Sequence, residues 1–150
     1  MTHYYGASQL LQANWIHPAN TERWLRRMTV GVSLNVCCGK SLVGDVRVDL
    51  SSDTSRTQEG DLFNLRFAPL SFDTVICDPP FSYYVTGENR FRWIQDLARI
   101  ARRRLIISVK ANSIYVGRRN WNRRLFYMED NAMFLRLFWV FDRKNQRLDP

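Results

Sequence analysis

The stretch SFDTVICDPPFSYY, residues 71–84, passes from an apolar run directly into a carboxylate, two prolines and an aromatic ring. Phe72, Val75, Ile76 and Cys77 are β-favouring residues bounded by turn formers, which predicts a buried central strand over 72–78. Pro79 and Pro80 have no N–H to donate and fix their own φ angles, so a sheet ladder stops there and the carbonyls beside Asp78 face open space. The strand exit is therefore a rigid set of acceptors. The Asp78 carboxylate, a main-chain carbonyl on the Pro79 side and the face of Phe81 together suit a flat group bearing an NH2, which donates two hydrogen bonds while its ring stacks. The competing reading is a proline-stiffened exit in which Asp78 only caps a turn.

Upstream, VSLNVCC (32–38) and DVRVDL (45–50) read as strands, with DLFNL (61–65) as a weaker third. Downstream, a helix from Arg90 to Arg102 places Phe91, Ile94, Leu97 and Ile100 on one face, and RLIISVK (104–110) is a further buried strand. ASQLLQANW (7–15) and NTERWLRRM (20–28) read as short helices, the second capped by Asn20 and closed by Arg26 and Arg27. AMFLRLFWVFDRK (132–144) supplies one or two closing strands. Strands of near-continuous apolar character separated by crossovers predict one α/β domain over 1–150, with a mostly parallel sheet and helices on both faces. In such sheets ligands bind beyond the carboxyl ends of the strands, where strand order reverses. The first strand ends in Cys37, Cys38 and Gly39, the second in Asp49 and the fourth in Asp78, while the third begins at or is bounded by Asp61. Gly39 admits a ligand close to the backbone, and an acid at the end of the second strand suits ribose hydroxyls.

The balance of 22 basic against 14 acidic residues gives a net charge of +8, and 19 of the basic residues are arginine. The planar guanidinium binds phosphate oxygens in pairs and stacks on bases, so this surplus points to a nucleic-acid partner, with a merely solvated basic surface as the alternative. Most of the arginines follow the DPPF stretch. Three cysteines, Cys37, Cys38 and Cys77, lack metal-ligand spacing and read as reduced core residues, so no metal site is expected. No apolar run reaches membrane-spanning length and MTHYYGASQLLQ lacks a signal-peptide layout, which makes a cytoplasmic location the expectation.

Taken in order, these residues resemble the class I S-adenosylmethionine-dependent methyltransferases, and within them the amino-methyltransferases whose fourth strand ends in (Asp/Asn/Ser)-Pro-Pro-(Tyr/Phe/Trp). LNVCCG is similar to that family's first motif, Asp49 to its ribose-binding acid, Asp61-Leu62 to its adenine-binding pair, and DPPF to its catalytic motif. The series spans Val32 to Lys110. The resemblance implies a Rossmann-like methyltransferase fold, with S-adenosylmethionine held by Cys38, Gly39, Asp49, Asp61, Leu62 and Asp78. It also implies catalysis by Asp78, Pro79, Pro80 and Phe81. The chain departs from the pattern between Gly39 and the second strand, where only KSLVG (40–44) stands in place of a crossover helix, and SSDTSRTQEG is nearly as spare. A fold reduced in its first crossovers follows, with Leu10, Leu11, Trp15, Trp24 and Leu25 as candidates to cover the bare face.

In the implied chemistry, the Asp78 carboxylate and the Pro79-side carbonyl accept both hydrogens of an exocyclic amine. The nitrogen then pyramidalises and turns its lone pair to the methyl sulfonium. Phe81 holds the base plane by stacking. RRNWNRR (118–124) reads as a loop in which Arg118, Arg119, Trp121, Arg123 and Arg124 grip phosphates and contact bases, the alternative being a solvated loop. His3 and His17 receive no role. Adenine N6 in DNA is the leading target. RNA adenine or guanine, a protein glutamine amide and a non-catalytic nucleic-acid-binding subunit remain alternatives. Sequence specificity is expected to be slight, loop-borne or supplied by a partner, and a homodimer or partner subunit is the expected assembly.

Overall fold

The computed structural model describes residues 16–50, 57–79, 92–109, 120–131 and 134–144. Strands β1 (Ser33–Val36), β2 (Val46–Asp49), β3 (Thr57–Glu59), β4 (Phe72–Cys77), β5 (Ala101–Val109), β6 (Trp121–Asn131) and β7 (Phe134–Arg143) join in one sheet. Its order is β3-β2-β1-β4-β5-β7-β6. The first five strands pair in parallel, and β7 lies antiparallel between β5 and β6. From β1 the chain steps outward to β2 and β3 and then returns to β4 on the other side of β1. Strand order thus reverses between β1 and β4.

Alternation along the strands sorts the core onto two faces. Leu34, Val36, Val48, Val75, Cys77, Leu105, Ile107 and Phe141 pack with Trp93, Ile94, Leu97 and Ile100 of helix α2, described over Arg92–Ile100. The spacing of those four helical residues makes one apolar stripe, and all four are nearly fully buried. Ile76, Ile106, Phe138 and Val140 face the other way and meet Leu25 of helix α1 (Ala19–Met28), with Trp24 and Met28 beside it. One helix therefore covers each face among the described residues, as the apolar patterning predicts.

Helix α1 runs back along the sheet. The Arg104 Nη1 donates to the Met28 carbonyl at 2.8 Å, and the Thr74 hydroxyl bonds both the amide and the carbonyl of Val30. These ties sit near the starts of β4 and β5. A ten-residue helix is about 15 Å long, comparable to a strand of five residues, so its beginning reaches the carboxyl ends of the strands.

Between β1 and β2 there is no helix. Val43 of this connection joins the α1-side core, and the Asn35 side-chain amide donates to the Val43 carbonyl at 3.0 Å across a buried surface. The bare face is covered by Trp24, Leu25 and this extended segment; Leu10, Leu11, Trp15 and the expected helix 7–15 lie outside the described residues.

Four expectations are corrected. Asn20 does not cap its helix, which starts at Ala19 after Pro18 with no side-chain cap bond; the Asn20 Oδ1 accepts the adjacent Thr21 amide at 3.0 Å. DLFNL is not a strand: Leu62–Asn64 form a 3-10 turn because the Asp61 Oδ1 accepts the Phe63 amide at 2.9 Å, and the third strand is the earlier, polar Thr57–Glu59. The described helix ends at Ile100 rather than Arg102, with Ala101 opening β5 at once. Residues 121–124 are not loop but the start of β6. Among the described residues no helix is long and apolar enough to cross a membrane.

Candidate active site

Val36 of β1 and Cys77 of β4 are register partners, and the Asp78 amide donates to the Val36 carbonyl at 3.4 Å. The ladder ends there. Cys37 leaves β1 with φ 56°, and Asp78 leaves β4 beside it with only 4% of its surface exposed. Pro79, which cannot extend the ladder, is buried after it. Asp78 therefore stands at the reversal of strand order, the position the sheet makes available to ligands.

Asp49 closes β2 and is 9% exposed. Its Oδ2 accepts the Gly39 amide and its Oδ1 the Leu50 amide, each at 2.8 Å. Gly39 has φ 52°, a left-handed conformation that a side chain would resist, and this brings its N–H onto the carboxylate. Asp49 lies two strands from Asp78, or about 10 Å at the usual inter-strand spacing.

The thiols report the electrostatics of this end of the sheet. A hydrogen bond with Cys77, then burial, then the charges of Cys77, Asp49 and Asp78 push the Cys37 thiol well above its ordinary value. Burial and then the Asp49 charge push Cys38 up to about 11. Both thiols are protonated at neutral pH and are not nucleophiles; all three cysteines are free. Two buried carboxylates, Asp49 and Asp78, make an acidic patch around Cys37, which the charge of the buried Arg47 opposes on the Cys38 side. Such a patch favours a cationic ligand centre.

The remaining predicted residues are distributed as follows. Asp61 caps the 3-10 turn and lines a cavity of about 360 Å³ with Val48, Gly60 and Asn64. The Leu62 side chain is packed in the core at 2% exposure. Pro80, Phe81, Arg118 and Arg119 lie outside the described residues. Trp121 is buried at 6%, with the Arg143 guanidinium 4.4 Å over its ring, so it is a packing residue of β6 rather than a ring offered from a loop. Arg123 stacks 4.5 Å over Trp139, and the Arg124 Nη1 pairs with the Asp142 Oδ2 at 3.0 Å.

One residue at the site was missed. The His17 Nε2 stands 3.4 Å from the Asp78 Oδ2, and both side chains are 6% exposed. The imidazole meets the buried Phe138 ring edge-on at 5.2 Å. The two residues are far apart in sequence, and only the return of α1 along the sheet brings them together.

Magnesium protoporphyrin IX methyltransferase from Synechocystis PCC 6803, solved with bound S-adenosylmethionine, superposes with a TM-score of 0.61 at 17% identity, covering 83% of this chain and 77% of its own. A TehB-like S-adenosylmethionine-dependent methyltransferase from Corynebacterium glutamicum gives 0.59 at 16% identity, covering 91% and 92%. The chain has the fold of S-adenosylmethionine-dependent methyltransferases. The N-methyltransferase NodS from Bradyrhizobium japonicum WM9 shares this methyltransferase fold with a TM-score of 0.58 at 12% identity, covering 83% and 94%. No family model matches the sequence, and no curated protein is similar to it.

The residues present suit the cofactor of that fold. Asp49 is a buried carboxylate at the end of β2 that accepts the Gly39 and Leu50 amides, and a carboxylate acceptor matches ribose O–H donors. The negative patch around Cys37 matches a sulfonium. Among the described residues no group of three or more His, Cys, Asp or Glu is arranged to hold a metal ion.

Proposed function

We propose that the protein is an S-adenosylmethionine-dependent methyltransferase acting on an exocyclic amino group of a nucleic-acid base, with adenine N6 in DNA as the first target to test. The observation that carries the reading is the buried Asp78 carboxylate at the reversal of strand order, followed by Pro79 and flanked two strands away by Asp49. Asp49, with the Gly39 backbone beside it, would hold the cofactor's ribose end; the bound cofactor would supply an electrophilic methyl group to the amine nitrogen, leaving as S-adenosylhomocysteine while one amine proton is released. Asp78 accepts one N–H of the target amine and opposes the positive charge that develops on nitrogen, an interaction stronger in the transition state than before it. The arginine surplus supports a polyanionic substrate.

A second reading, a small-molecule N-methyltransferase, is favoured by how many described arginines are engaged within the fold. Arg104 and Arg124 share Asp142, Arg102 pairs with Asp73, Arg99 with Asp96, and Arg143 donates to the Ala98 and Ala101 carbonyls. Incubation with methyl-labelled S-adenosylmethionine and, separately, DNA, RNA, a glutamine peptide and small amines distinguishes the readings. Label in N6-methyladenosine or another base amine after nuclease digestion supports the first, and label confined to small amines or peptide refutes it.

A further inference from the structure

Asp78 is 4% exposed, and a carboxylate so far from water is costly unless a donor meets it. The His17 Nε2 stands 3.4 Å from its Oδ2, while the imidazole and the Phe138 ring make a T-shaped contact with centroids 5.2 Å apart. Packing alone asks only for a ring here. The imidazole adds a nitrogen at the carboxylate.

His17 also stands on a fixed support. Pro18 follows it, and the Pro18 carbonyl accepts the Glu22 amide at 3.0 Å to open α1, whose far end is tied to Arg104 and Thr74. Leu25 of the same helix is fully buried. The imidazole is thus placed from a rigid element rather than from a mobile side chain, as precise orientation of a reacting group requires.

We propose that His17 is a positioning residue for the reaction, its Nε2–H held toward the Asp78 Oδ2 so that the carboxylate keeps one rotation and its other oxygen receives the N–H of the substrate. The inference rests on the reading of Asp78 as the amine acceptor. His17 does not touch the substrate and takes no proton in the reaction. Its contribution is to keep Asp78 aligned as charge develops on the nitrogen, and this is felt in kcat more than in KM.

The test compares wild type, His17→Phe, His17→Gln and Asp78→Ala. Methyl transfer is measured on DNA and RNA oligonucleotides, S-adenosylhomocysteine binding by calorimetry, and Tm by scanning calorimetry. His17→Phe keeps a ring against Phe138; it should retain cofactor-product affinity and lose about 10- to 100-fold in kcat, the scale set by partners that orient metal-ligating side chains. His17→Gln carries an N–H at a similar reach and should recover part of that loss. Wild-type turnover in His17→Phe, or no recovery in His17→Gln, overturns the proposal. If Asp78→Ala turns over normally the acceptor reading itself fails, whereas an inactive Asp78→Ala beside a normal His17→Phe removes His17 alone. Nitrogen-15 NMR of the histidine ring needs neither substrate nor a folded His17 variant. It should show Nε2 of His17 carrying the proton and its resonance moving in Asp78→Asn; an unprotonated Nε2, or a resonance indifferent to Asp78, rejects the contact.

Discussion

Asp49→Asn is the perturbation whose size the structure sets most directly. The carboxylate receives two backbone amides, from Gly39 and Leu50, each at 2.8 Å and in a residue only 9% exposed. Hydrogen bonds to a charged group contribute about 1.5–3 kcal/mol each. Asparagine keeps one oxygen and turns an NH2 toward the other amide, so one bond is lost and a donor faces a donor. The expected cost is about 1.5–3 kcal/mol, and at this chain length 1 kcal/mol moves Tm by roughly 2–4 °C, giving a fall of roughly 3–12 °C. If the same carboxylate holds the cofactor's ribose, affinity for S-adenosylhomocysteine should fall about tenfold or more, since each 1.4 kcal/mol is a factor of ten.

A control separates the two effects. The Asp45 Oδ2 accepts the Ser33 amide and hydroxyl, both at 2.8 Å, at the amino ends of β1 and β2, away from the site. Asp45→Asn should lower Tm and leave ligand affinity unchanged. Calorimetric titration showing wild-type affinity in folded Asp49→Asn refutes the assignment of Asp49 to the cofactor, whatever happens to Tm.

Leu97, fully buried where α2 meets the sheet, should cost about 2–5 kcal/mol when cut to alanine, read from urea unfolding, with the urea slope unchanged. Burial pushes the Asp142 carboxyl up, but hydrogen bonds and charge from Arg104 and then Arg124 outweigh it and hold it below the usual value. Because the folded-state value is lowered, this stabilisation is present in full above about pH 4 and is lost as pH falls through the folded value. Asp142→Asn should therefore be less stable than wild type at pH 7, with the gap closing below pH 4 in urea titrations at several pH values. If Arg124 grips a phosphate as well as Asp142, Arg124→Ala should flatten the dependence of log affinity on log salt for duplex DNA by about 0.9, and an unchanged slope assigns the side chain to the Asp142 pair alone.

The sheet was legible where local chemistry and tertiary burial agree. Val75, Ile76 and Cys77 are apolar on both faces because β4 is covered on both, so the run announces itself without alternation. Thr57–Glu59 was invisible for the opposite reason: it is an edge strand with Gln58 and Glu59 exposed, and backbone pairing to β2 alone makes it a strand. DLFNL looked like a strand because Leu62, Phe63 and Leu65 are apolar, but the Asp61 side chain supplied a turn acceptor that outweighed β propensity. Trp121 between arginines resembled a base-stacking loop. Its ring is instead buried in the core beneath Arg143, which no local pattern separates from an exposed stack. Asp49 and Asp78 could be read because one closes its strand and the other directly follows its strand in sequence, whereas the His17 contact depends on a helix returning along the sheet.

The shortened first crossover changes how this end of the sheet is held. Where a helix follows the first strand, its N-terminal amides and dipole are available to an anionic group. Here residues 37–45 contain no helix, and the turn after β1 is fixed by other means: positive φ at Cys37 and Gly39, the Ser41 amide on the Cys38 carbonyl at 2.9 Å, and the Gly39 amide on Asp49. The Gly39 N–H is thereby directed at a carboxylate of the protein, which orders the loop but aims that donor at Asp49. Asp49 consequently has two tasks, holding the turn and presenting acceptor oxygens at the end of β2. The reduced connection gives up the helix N-terminus, so the charges near the end of β1 come from side chains, the Asp49 and Asp78 carboxylates and the Arg47 guanidinium, rather than from a helix dipole. The Cys37 thiol is raised first by its hydrogen bond with Cys77 and by burial, and the Cys38 thiol first by burial; the nearby acids add to both shifts.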